Sequence, residues 1–230
     1  MLWDIDNTLV HAGGTGRALY QLALAELYGV DLAMPTTSMA GRTDASIAAE
    51  VLTAVGMDAT AELPRFHRVL AARAPELADM VRERGVVLPG AREALAAVAR
   101  HTADGMVVQS LLTGNLPALA AVKLTGLGLT EHLDLGIGAY GDVSQVRADL
   151  VPVARRNAAA RYGIDFAGRA TVIVGDTPHD VGAAVATGAR AVGVATGEFS
   201  VQQLADAGAD VVLPDLVDTG TVITAILDGV

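Results

Sequence analysis

The sequence predicts an α/β protein: a doubly wound, mostly parallel sheet with a block of helices inserted after its first strand. Three observations carry that expectation. From Val86 onward, short Val-rich runs alternate with stretches of helical period, the pattern of strand–helix–strand units. One apolar run, residues 2–5, precedes them. Between Gly14 and Arg84 nothing reads as a strand, while apolar residues recur at helical spacing.

Taken in order, strand 2–5 runs into Asp6, Asn7 and Thr8, and Gly13-Gly14-Thr15-Gly16 forms a turn cluster. Residues 17–28 set Leu19, Leu22, Ala23 and Glu26 at helical spacing and stop at Gly29. Thr43 or Asp44 is placed to cap a second helix through Ile47, Val51 and Leu52 that ends at Gly56. Pro64 and Pro75 punctuate a third helical stretch that closes at Gly85. Pro89-Gly90 opens a helix to about residue 103, residues 106–112 (MVVQSLL) read as a buried strand, 115–127 as a helix and 133–137 as a short strand. Helices at 149–162 and 180–187 alternate with strands at 170–174 and 190–194; a last strand at 210–213 precedes a helix from Thr219. The expected division is an α/β core of residues 1–13 and 86–230 carrying a helical domain of residues 14–85.

Composition bounds the function. A chain of 230 residues can bury a sizeable core, and its aromatic fraction of 3% favours helices packed through alanine over an aromatic-rich sandwich. A net charge of −10 and a pI near 4.8 disfavour nucleic-acid and anionic-membrane partners, which are held by basic patches. The absence of cysteine excludes disulfides, thiolate metal sites and cysteine nucleophiles. No apolar run reaches the ~18 residues of a membrane span, and the acidic start is unlike a signal peptide, so a cytoplasmic protein is expected.

The chemistry begins at Asp4 and Asp6. On an extended segment alternate side chains share a side, so both carboxylates can project from a strand's carboxyl end, where open α/β sheets place ligands. Like charges that close call for a divalent metal, a shared proton, or both. A plain strand-to-turn junction would also use Asp6 and Asn7. Two more expected strands end in polar groups: Thr113-Gly114-Asn115, and Gly175-Asp176-Thr177-Pro178-His179-Asp180. In a parallel sheet these ends lie on one edge, so the groups converge in one crevice. Asp180 is equally placed to cap the following helix. His11, His67, His101 and His132 show no ligand spacing, and His179 reads as a loop residue.

With these motifs in this order, the chain resembles the haloacid dehalogenase-like hydrolases, whose DxDxT signature is similar to Asp4-Ile5-Asp6-Asn7-Thr8. The resemblance covers essentially the whole chain, including a helical cap between the first and second motifs, and is nearest the phosphoglycolate phosphatase-like type. It implies a Rossmann-like core in which Asp4 is the nucleophile that becomes an aspartyl phosphate and Asp6 the general acid and base. It implies magnesium on the Asp4 carboxylate, the Asp6 carbonyl and Asp176, with Asp180 behind them. Thr113, Gly114 and Asn115 would hold the phosphoryl oxygens. Asn7 stands where many relatives have glycine, which asparagine's tolerance of left-handed backbone accommodates. The Lys-Pro pair often found before the last motif is absent, and Arg147 stands roughly there.

Two basic residues complete the expectation. Arg42, in Gly41-Arg42-Thr43-Asp44, is placed to meet a distal anionic or hydroxyl group of a substrate, or else to pair with Asp44. Lys123 is the one lysine among sixteen basic residues. It lies roughly 9 Å along the helix from Pro117, at about 1.5 Å per residue, with its side chain leaning back toward the crevice. It is expected to neutralise the nucleophile and phosphate, with Arg147 as the competitor. The activity expected is magnesium-dependent hydrolysis of a small phosphorylated metabolite. A sugar phosphomutase of the same fold and a non-enzymatic phosphoacceptor module are the alternatives. A dehalogenase would not need Asp6, and a phosphonate hydrolase would need a cap lysine, of which residues 14–85 have none.

Overall fold

A computed structural model describes residues 1–29, 34, 38–103 and 107–227. Its main sheet has five parallel strands in the order β4-β1-β5-β6-β7: β1 (Leu2–Trp3), β4 (Ser110–Leu111), β5 (Val172–Gly175), β6 (Arg190–Val194) and β7 (Val211–Leu213). The chain leaves β1 and returns on one side as β4, then on the other as β5. The strand order therefore reverses around β1, which sets a crevice at its carboxyl end.

Burial on both faces explains why these strands read as continuous apolar runs. Trp3, Leu111, Val172, Val174, Val192 and Val194 pack toward α5 (Ala91–Ala103) and α10 (Thr219–Leu227). The alternate residues Leu2, Ile173 and Ala191 pack with Leu150, Val151 and Ala154 of α7 (Leu150–Tyr162) and Val181 and Ala184 of α8 (Pro178–Thr187). The remaining helix of this region, α9 (Val201–Asp206), contributes Leu204.

The helical insertion has its own core. Leu19, Tyr20 and Leu24 of α1 (Thr15–Tyr28), Ile47, Val51 and Leu52 of α2 (Asp44–Ala54), and Phe66 and Leu70 of α3 (Ala59–Arg73) are buried together. Tyr20 and Phe66 meet edge to face at 5.6 Å. Leu116 and Leu119, at the start of α6 (Pro117–Gly126), join the same cluster, so the insertion packs directly on the helix that follows β4. The insertion's last helix is α4 (Ala78–Arg84). Helix α2 starts at Asp44 because Thr43 accepts the Ser46 N–H, a cap expected from sequence.

The structure differs from expectation at three places. Strand 106–112 is paired only over Ser110–Leu111, with an isolated bridge from Leu112 to Ala139; residue 106 lies outside the described residues. The expected strand 133–137 is instead a 3₁₀ turn, Leu135–Ile137, because the Asp134 carboxylate accepts the Gly136 N–H. An antiparallel pair was not anticipated: β2 (Val10–His11) against β3 (Val86–Val87) joins the two segments connecting sheet and insertion. A Cβ at Gly13 would come within 2.6 Å of Arg84, and its φ of 61° is open mainly to glycine. Among the described residues no helix is long and apolar enough to cross a membrane.

Candidate active site

The ends of β1, β4 and β5 converge below the insertion on a cavity of about 360 Å³ lined by Asp4, Asp6, Asn115, Lys123, Arg147 and Asp176 among others. Asp4 directly follows β1 and is fixed by its N–H, which donates to the Val174 carbonyl at 2.9 Å. The turn beyond it is closed by Leu9 and Val10 N–H donation to Ile5, with Asn7 at φ 57°. Asparagine thus occupies the left-handed position that the sequence implied.

Two separate charge systems share this crevice. In the first, Arg147 Nη2 lies 2.8 Å from Asp4 Oδ1 and 2.6 Å from Asp180 Oδ1. The same guanidinium donates to the carbonyls of Gly41 and Leu112 at 2.9 and 3.0 Å, so it is anchored to both the insertion and the sheet. Asp176 completes the group: carboxylate oxygens of Asp4, Asp176 and Asp180 lie within 4.8 Å of one another, all buried. Thr8 donates to Asp176 Oδ1 at 3.1 Å, while Asp176 Oδ2 is buried with no partner among the described residues. Burial, with Asp4 and Asp180 adding repulsion, pushes Asp176 up to about 8. Burial likewise raises Asp4 to about 6, against the pull of Arg147.

An orphaned carboxylate oxygen, three converging acids and hard oxygen donors fit a divalent cation such as magnesium. Asp180 caps the helix that follows it. Its Oδ2 accepts the Thr177 N–H and hydroxyl at 3.1 and 2.7 Å, closing a capping box at the start of α8, while its Oδ1 faces Arg147.

The second system centres on Lys123. Its Nζ lies 2.8 and 2.6 Å from the two oxygens of Asp6 and 2.7 Å from Asn115 Oδ1, and Asn115 Nδ2 donates to Asp6 Oδ2 at 2.7 Å. Lysine, acid and amide form a closed triangle, with the lysine almost fully buried and Asp6 partly open to the cavity. The expected lysine is therefore in the crevice but on Asp6, and the cation on Asp4 is Arg147. Thr113 is displaced from its expected place. It does not line the cavity, and its hydroxyl accepts the Asn115 side-chain N–H at 2.8 Å.

Backbone contact ties the insertion to this edge. Asp44 N–H donates to the Gly114 carbonyl and Ala45 N–H to that of Gly141, both at 2.7 Å, and the Asp44 carboxylate accepts the Leu116 N–H at 2.7 Å and the Tyr20 hydroxyl at 2.9 Å. A Cβ at Gly114 would lie 1.9 Å from the Arg42 carbonyl oxygen, so this close approach requires glycine. Arg42 lines the cavity and pairs with Glu50 at 2.7 Å and with the Ser46 hydroxyl, not with Asp44. His11 stands at the cavity edge beside Asn7. Asp44 was missed in the sequence as a site residue because a helix-start aspartate signals a cap and nothing more.

Residues 146–219 match a family model described as HAD-hydrolase-like. No curated protein matches the chain. Solved structures match over nearly its full length. CbbY from Rhodobacter sphaeroides in complex with phosphate has 18% identity and a TM-score of 0.69, over 95% of both chains. A hydrolase from Pseudomonas syringae has 20% identity and a TM-score of 0.63, over 98% of this chain and 97% of that one. A predicted phosphoglycolate phosphatase from Haemophilus somnus has 18% identity and a TM-score of 0.64, over 96% of this chain and 95% of that one. In fold over its whole length, and in sequence over residues 146–219, this chain is similar to the haloacid dehalogenase-like hydrolases.

Proposed function

We propose that this protein is a phosphatase that hydrolyses a small phosphate monoester through an aspartyl phosphate on Asp4, with residues 14–85 acting as a cap over the site. The observation that carries this reading is the pairing, in one cavity, of a buried carboxylate held by a guanidinium (Asp4 and Arg147) with a second carboxylate held by an ammonium (Asp6 and Lys123). A binding module would need one acidic acceptor; the duplicated, separately charge-balanced carboxylates suit a nucleophile and an acid–base partner.

In this reading an Asp4 oxygen attacks phosphorus while Asp6 donates a proton to the departing alcohol oxygen. Asp6 then takes a proton from the water that opens the aspartyl phosphate. Magnesium, held by Asp4, Asp176 and the Asp6 carbonyl with Asp180 alongside, would supply the positive charge that lets an anionic nucleophile meet an anionic phosphate. Gly114 and Asn115, which line the cavity, would hold the phosphoryl oxygens, and Thr113, whose hydroxyl accepts from the Asn115 backbone and side-chain N–H groups, positions Asn115 from behind. Lys123 sets the orientation of both Asp6 and Asn115. The insertion keeps bulk water from the acyl phosphate until Asp6 can activate one molecule.

The test is Asp4→Asn, which keeps the shape of the side chain and removes the attacking charge. With magnesium and an aryl phosphate, turnover should be abolished; a rate within about tenfold of wild type would rule out Asp4 as the nucleophile. Release of inorganic phosphate from a sugar phosphate, without formation of its positional isomer, separates hydrolysis from phosphomutase chemistry.

A further inference from the structure

Arg147 touches more than the acids it neutralises. It is buried, and its terminal nitrogens reach Asp4 beyond β1, Asp180 in α8, the Leu112 carbonyl beyond β4 and the Gly41 carbonyl. Of these, Gly41 alone belongs to the insertion, and Nη1 donates to it at 2.9 Å. The Nε of the same guanidinium is buried with no partner among the described residues. That unmet donor is a cost which any second position of the side chain with Nε solvated avoids.

Gly41 is a point where the insertion rests on the core. Its φ of 66° and its packing both call for glycine: a Cβ there would run into the Thr177 side chain and come within 3.0 Å of the His179 ring. A few residues on, the Asp44 and Ala45 N–H groups donate to the Gly114 and Gly141 carbonyls of the core. One side chain thus joins the acid cluster to the docked edge of the insertion. Against Asp4, Asp176 and Asp180 it brings a single positive charge, and Asp176 Oδ2 still lacks a partner. A divalent cation held by the same carboxylates takes over that balance and repels the guanidinium beside it.

We propose that Arg147 ties the docking of the insertion to the occupancy of the acid cluster: without a cation it balances the acids and clamps Gly41 to the core, and a cation on the acids weakens the clamp. Docking and metal binding are then negatively coupled, and linkage makes the effect mutual. The metal loosens Gly41, and whatever loosens Gly41 tightens the metal. Arg147 is a positioning residue in this role, acting on the insertion through one backbone carbonyl.

The inference rests on the cation site of the phosphatase reading and not on its hydrolytic step. Magnesium alone is titrated by calorimetry into wild type, Gly41→Ala and Arg147→Lys. Amide exchange of the segment holding Asp44 and Ala45 is followed by mass spectrometry with and without the metal. In wild type, magnesium should speed that exchange about fivefold or more. Gly41→Ala, which lifts the loop from Thr177 and alters no acid, should exchange fast without metal and bind magnesium about fivefold more tightly. Arg147→Lys keeps a charge among the acids but replaces the fork that also spans Gly41 with one ammonium. Its exchange should be fast and should not respond to magnesium, a readout that does not depend on how Gly41→Ala folds. Wild-type exchange that magnesium leaves unchanged or slows, or magnesium binding by Gly41→Ala no tighter than by wild type, would overturn the tether while leaving the phosphatase reading in place. Wild type that binds no magnesium at all would remove the cation site, and with it both the tether and the metal of that reading.

Discussion

Lys123 Nζ lies 2.6 Å from Asp6 Oδ2, while the cation nearest Asp4 is the Arg147 guanidinium at 2.8 Å from Asp4 Oδ1. Each of the two carboxylates thus has its own cation. The division follows from geometry. Lys123 rises from the second turn of α6, beside the Asn115 loop, whereas Arg147 sits at the start of a 3₁₀ turn on the far side of Asp4 and extends its longer side chain beneath the insertion.

Lys123→Ala should lower kcat about 10²-fold or more, because it removes the charge that orients both Asp6 and Asn115. Lys123→Arg should not rescue it. Three oxygens converge on a compact ammonium, and a planar fork in that buried space would displace Asn115. Steady-state kinetics on an aryl phosphate with both variants decides; a fully active arginine variant would show that charge alone suffices.

Arg147→Ala should act on stability as well as rate. Removing the guanidinium leaves Asp4, Asp176 and Asp180 as buried acids facing one another, and breaking a buried pair costs about 3–5 kcal/mol. Magnesium should return part of that loss by binding the same carboxylates. Thermal unfolding of wild type and variant, with chelator and with magnesium, measures it. A variant as stable as wild type in chelator would show that the acids are relieved by protonation instead.

What was legible in the sequence is what periodicity and strand-end chemistry encode. Asp4, Asp6, Asn115, Asp176 and Asp180 meet because each follows a β run whose apolar residues pack on both faces of the sheet, and that pattern is local. The pair β2 and β3 was not legible: two residues carry no period, and their partners lie 75 positions apart in the register Val86 to His11. The same holds for Asp44. Its importance arises from tertiary contacts, such as that with Leu116 across 72 positions, while locally it looks like an ordinary helix-start residue. The pairing of Lys123 with Asp6 was not legible for a related reason. Helix rise placed its charge in the crevice but could not say which carboxylate it would face.

Asp44→Ala should loosen the insertion from the sheet edge. The Tyr20 hydroxyl keeps the backbone carbonyl of residue 44, 3.0 Å away, but the buried Leu116 N–H loses its acceptor, at about 1–3 kcal/mol. Because Leu116 follows Asn115, the looser loop should raise KM and lower kcat together. Urea unfolding and kinetics read the two effects. Gly114→Ala, which would force the Arg42 carbonyl away, should reproduce the kinetic change by a purely steric route.

The pH dependence of stability follows from three buried acids. Burial raises Asp4 and Asp44 to about 6 and Asp176 to about 8, from a starting value of 3.8. Between those limits the folded chain binds more protons than the unfolded chain, so unfolding free energy falls as pH rises. The contribution is complete below about 3.8 and is lost progressively as pH passes 6 and then 8. The buried Met1 amine, lowered to about 5 from 8.0, works in the opposite direction between those values and offsets Asp176 there, and His67 and His179, both lowered by burial, do so around 6.5. In chelator, the unfolding temperature should therefore decline between about pH 4 and pH 6, where Asp4, Asp44 and Asp176 all act in one direction. Saturating magnesium should flatten the decline, since a cation favours the ionised forms of Asp4 and Asp176, while leaving the part due to Asp44, which faces Tyr20 and Leu116 instead. A melting temperature in chelator that is level or rises across this range would mean that the acidic triad is not carrying protons in the folded chain.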